Sequence, residues 1–134
     1  MNPSHQPVAG RSAWQGSRID YRTEGMHLLT PAEIDEIDVA LRHFRSLGEL
    51  DFPAITPETF PLPMLGGFFR DAADELRHGP GFLLLRGLPR ENYSVDDLGR
   101  IYFGLGAHIG QPLPQSYQGE LLGHVIDVTR PYVG

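Results

Sequence analysis

The side chains most able to hold a metal are six histidines, His5, His27, His43, His78, His108 and His124. A non-haem iron site of the two-histidine, one-carboxylate kind needs two imidazoles and a carboxylate converging on one side of the metal. A common sequence form places histidine and acid two apart, and no His-x-Asp or His-x-Glu occurs in these residues. His124 and Asp127 are three apart, so on a strand their side chains point to opposite faces. His43 has no acidic or histidine neighbour one helical turn on. Ordinary surface or packing roles therefore outweigh ligation for all six.

Other chemistries fare no better. The Gly-x-Ser-x-Gly elbow of hydrolases is absent, and Ser94 is explained as a helix cap. Gly104-Leu-Gly106 with Gly110 has the wrong spacing for a dinucleotide loop and stands at the end of a helix, where that loop should begin one. Asp96 and Asp97 fall in the first turn of a predicted helix, where the macrodipole favours acids. Arg86 interrupts an apolar run, so it is expected to be paired or to stand at a pocket rim, a structural ion pair being favoured over a ligand contact.

Composition closes further routes. With no cysteine, disulfides, thiolate catalysis and cysteine-based zinc sites are excluded. There is no lysine either, all 11 basic residues being arginine, which removes P-loop phosphate binding and Schiff-base chemistry. A net charge of −6 disfavours nucleic acid and anionic membrane as partners. No apolar run approaches the roughly 20 residues that span a bilayer. Met1–Gly16 carries no apolar signal core, so a cytoplasmic location is expected.

The elements that must position any site are legible in the apolar spacing. Residues 1–25 read as a flexible arm containing the lone Trp14, and 26–134 as part of one α+β domain. A first helix is predicted from Pro31 to Leu47: Thr30 caps it, Glu33 completes a capping box, and Ile34, Ile37, Leu41 and Phe44 share a face. Its charged residues Asp35, Glu36, Asp38, Arg42 and Arg45 read as a solvated face. Pro53, Pro57, Pro61 and Pro63 mark a connector. A second helix is expected over Pro63–His78, with Leu65, Phe68, Phe69, Ala72 and Leu76 as its apolar stripe. Phe82–Leu88 reads as a strand covered on both faces. Ser94 starts a third helix, with Asp97 in the capping-box position and Leu98, Ile101, Tyr102 and Leu105 as its buried side. Leu121–Val128 is expected to be a second strand. Two strands alone make a marginal sheet, so the pattern looks unfinished.

The stretch from Gly79 to Val128 resembles the N-terminal region of the taurine-dioxygenase-like (TauD/TfdA) family of Fe(II)/2-oxoglutarate-dependent oxygenases, in a branch related to clavaminate-synthase-like proteins. The matching elements are Gly81-Phe-Leu-Leu-Leu-Arg-Gly-Leu88, Tyr93-Ser-Val-Asp-Asp97, Tyr102-Phe-Gly-Leu-Gly106, Gly110-Gln-Pro-Leu-Pro-Gln115 and Gly119-Glu-Leu-Leu-Gly-His-Val125. The resemblance implies a double-stranded β-helix, a jelly-roll-like sandwich decorated by helices, of which this chain would hold the N-terminal helices and first strands. It also implies Fe(II), 2-oxoglutarate and O₂ as the means of oxidising a small-molecule substrate. In the family the iron ligands and the cosubstrate arginine lie downstream of the region matched here, so the resemblance carries no catalytic or metal-binding residue onto this sequence, and the chain is expected to be inactive alone. By the same resemblance, Gln115, Tyr117 and His124 are the candidates for lining a substrate pocket, against a plainer role in loop and strand packing. The rival to an N-terminal oxygenase fragment is a non-catalytic binding or interaction module derived from the same fold.

Overall fold

A computed structural model describes residues 9, 10, 13, 15–18, 25–79, 82–114 and 118–123. Within them the chain runs β1 (Met26–Leu28), α1 (Pro31–Ser46), α2 (Leu65–His78), β2 (Leu84–Arg86) and α3 (Val95–Ala107). Single 3-10 turns lie at Phe52–Ala54 and Arg90–Asn92. No helix among the described residues is long and apolar enough to cross a membrane.

Thr30 and Glu33 form the full capping box at the start of α1. The Thr30 hydroxyl accepts from the Glu33 N–H at 3.2 Å, and the Glu33 carboxylate accepts from the Thr30 N–H at 2.9 Å. Two of the helix's orphan donors are thereby satisfied, an arrangement worth about 0.5–2 kcal/mol. α2 starts two residues later than the spacing predicts and lacks a side-chain cap of its own. Its first amides are met from another helix: the Glu36 carboxylate of α1 accepts from the N–H groups of Met64, at 3.0 Å, and Leu65, at 2.8 Å. The expectation that Glu36 belongs to a solvated face is therefore corrected. The same correction holds for Asp38, whose carboxylate accepts from the Tyr93 hydroxyl.

The core sits where the three helices and the proline-rich connector meet. Ile37, Ala40, Leu41 and Phe44 of α1 pack with Leu65 and Phe69 of α2, Ile101 and Phe103 of α3, and Ile55, Phe60 and Leu62 of the connector. Each fully buried large side chain contributes roughly 1.5–3 kcal/mol. On α3 the sequence misplaces the buried side: Tyr102 is 70% exposed, Phe103 is buried, and Leu98 and Leu105 are only half-buried. The reason is Gly104. Its bare Cα faces the Phe60 ring, and the buried side of α3 is centred on Gly104, with Ile101 and Phe103 to either side of it.

β1 and β2 pair in parallel, Met26 opposite Leu84 and Leu28 opposite Arg86. A parallel pair needs a crossover, which α1, the connector and α2 supply. β1 was not anticipated, because three residues, Met26–Leu28, carry no readable alternation. Gly25 precedes it at φ +78, and a Cβ there would come within 2.6 Å of the Phe82 ring, so only glycine fits this turn unstrained. The expected strand over Phe82–Leu88 shortens to Leu84–Arg86, and its cover is one-sided: Leu85 packs on the core while Leu84 and Arg86 are exposed. Arg86 is thus not held as expected. Among the described residues no hydrogen bond or ion pair engages its guanidinium, since at a strand end open to water it needs none. Of the expected strand Leu121–Val128, residues 121–123 form a bend against the helices, and 124–128 lie outside the described residues. Three helices and a two-stranded parallel sheet make a small α+β fragment compatible with an incomplete larger fold.

Candidate functional site

A cleft with both polar and apolar walls lies between β1 and α2. Phe68 and Ala72 of α2, with Met26 and Leu83, give it apolar sides, while His27, Asp71 and Glu75 supply the polar groups. α2 brings Asp71 and Glu75 to the cleft because residues four apart share a helix face. Its volume is about 220 Å³. Pockets for drug-sized ligands run to about 300–1,000 Å³, so this one suits at most a very small molecule.

His27 is the best-defined polar group in the cleft. Its ring lies against Phe68, centroids 4.4 Å apart and planes 34° apart. Its Nε2 is 3.0 and 3.1 Å from the two carboxylate oxygens of Glu33. An ionised carboxylate can only accept, so Nε2 carries the hydrogen and donates. His27 thus ties β1 to the capping box of α1. Burial acts to raise the Glu33 pKa, but hydrogen bonds from the Thr30 backbone and from His27 outweigh it and hold the carboxyl below its ordinary value. Glu33 is therefore an ionised anchor at neutral pH, and the pair is a structural tie with one imidazole nitrogen, Nδ1, left for other contacts.

The remaining described histidines are also engaged or solvent-facing. His108, just past α3, has Nε2 2.7 Å from the Phe60 carbonyl, to which it donates. His78 pairs with Asp74 one turn away on an open face, and His43 is exposed on α1. Among the described residues no group of three histidine, aspartate or glutamate side chains could hold a metal ion. Asp97 departs from the expected box: Ser94 Oγ accepts from the Asp97 N–H at 3.1 Å, but the Asp97 carboxylate turns to Arg100, at 2.8 Å, and to Arg45 of α1, at 3.2 Å. Tyr93 is the most perturbed of the described titratable groups. Burial and the adjoining Asp38 carboxylate push its phenol well above the ordinary range, so it stays a neutral donor.

The three residues expected to line a substrate pocket, Gln115, Tyr117 and His124, lie outside the described residues. Between Tyr117 and His124, Leu121 packs against the core, and Leu122 reaches the open flank of Gly99 on α3. Residues 121 and 122 thus lie against the helical body. The His27–Glu33 tie was missed in the sequence; a histidine three residues before a capping-box threonine is its only trace.

No family model matches the chain. Two curated proteins do. One is the FR-33289 synthase of Streptomyces rubellomurinus, 27% identical over 126 residues, covering 91% of this chain and 36% of that protein. The other is the taurine hydroxylase-like protein SAT17 of Stachybotrys chartarum, 29% identical over 116 residues, covering 86% of this chain and 30% of that protein. The chain spans about a third of the length of these relatives. Both agree with the resemblance carried by residues 79–128, and at the level of family they support it.

Proposed function

We propose, from the taurine-dioxygenase-like family that both relatives support, that the chain forms the N-terminal part of an Fe(II)/2-oxoglutarate-dependent dioxygenase acting on a small molecule with O₂ in the cytoplasm. The observation that carries this reading is the asymmetry of the match: nearly all of this chain aligns, but with only 36% and 30% of the two relatives. In this reading the helices form the N-terminal shell of a jelly-roll-like fold, and further strands extend the sheet beyond β1 and β2. Leu28 and Leu84, 64% and 42% exposed on adjacent strands, supply an apolar strip that a further layer of the larger fold would cover. Parallel sheets are ordinarily covered on both faces, which supports that view.

Iron and 2-oxoglutarate are the cofactors the family implies. The described residues do not fit as iron ligands, for no three suitable side chains converge among them. Three fixed protein ligands are needed to leave positions open for cosubstrate and O₂. The part assigned to this chain is therefore architectural, with Gln115, Tyr117 and His124 proposed to approach the substrate. A second reading, a stand-alone interaction module, draws on the fully buried cluster of Ile37, Phe44, Phe60, Leu65, Phe69 and Ile101.

Reading the coding sequence past Gly134 separates the two. An in-frame His-x-Asp, followed by a distal histidine and an arginine, with succinate release from 2-oxoglutarate by the longer product, is the expected result. A stop codon directly after Gly134 would overturn the oxygenase reading in favour of the module.

A further inference from the structure

We draw no further inference here: the strongest candidate, the acidic rim that Asp71 and Glu75 give the cleft between β1 and α2, belongs to the site already described and has no second observation beside it that points to a ligand.

Discussion

The ring of Phe60 lies directly on the backbone of Gly104: a Cβ at Gly104 would stand 2.6 Å from Phe60 Cδ1. Gly104, one of the glycines that superficially suggest a nucleotide loop, thus has a packing role. Alanine in a helix gains up to about 1 kcal/mol over glycine, but displacing a buried ring costs about 1–3 kcal/mol. Gly104→Ala is expected to lower stability in urea melts despite its better helix propensity. Gly106→Ala, with open space where its Cβ would go, should be neutral or stabilising. An equal response from the two variants would refute the Phe60 contact.

Glu36 acts as a cap supplied from one helix to another. Removing it leaves the amides of Met64 and Leu65 without their carboxylate. Glu36→Ala should cost about 0.5–2 kcal/mol, the range for lost N-caps. Arg42→Ala, on the exposed side of the same helix, should stay within about 0.5 kcal/mol of the parent. Denaturant midpoints of the two variants test this, and a silent Glu36→Ala would return that residue to the solvated face.

The Glu33 carboxyl has a folded-state pKa below its ordinary value, held there by Thr30 and His27 against burial. A depressed carboxyl stabilises the fold above its unfolded pKa and loses that contribution as pH falls through the folded value. The stability gap between the parent and Glu33→Gln should therefore be full near pH 6–7 and shrink progressively below about pH 4.3, the ordinary glutamate value. Melts at stepped pH read this directly; a gap that widens on acidification would contradict the assigned direction.

What was legible in the sequence follows from how local each signal is. Pro31, Thr30 and Glu33 define the start of α1 within four residues, and the structure keeps all three in role. Ser94 is equally local and caps α3 as read. Non-local relations were not legible. Glu36 reaches Met64, and Tyr93 reaches Asp38, across 28 and 55 residues. The buried side of α3 was misjudged because Phe60, distant in sequence, selects Gly104 as its seat. Arg86 was expected to have a partner because its neighbours are apolar, but the strand is short and open on that face, so water satisfies it. Of the candidate site, the sequence pointed to a family that the two relatives support; the His27–Glu33 tie joins β1 to α1, and no periodicity announced β1.

In the proposed function these residues supply architecture to an oxygenase, and its iron ligands lie outside them. Anaerobic titration of the 134-residue chain with Fe(II) in the presence of 2-oxoglutarate is the decisive measurement. Only weak, non-stoichiometric uptake is expected, unchanged when His27 is replaced by Gln. A tight site binding one iron per chain and dependent on 2-oxoglutarate would contradict it.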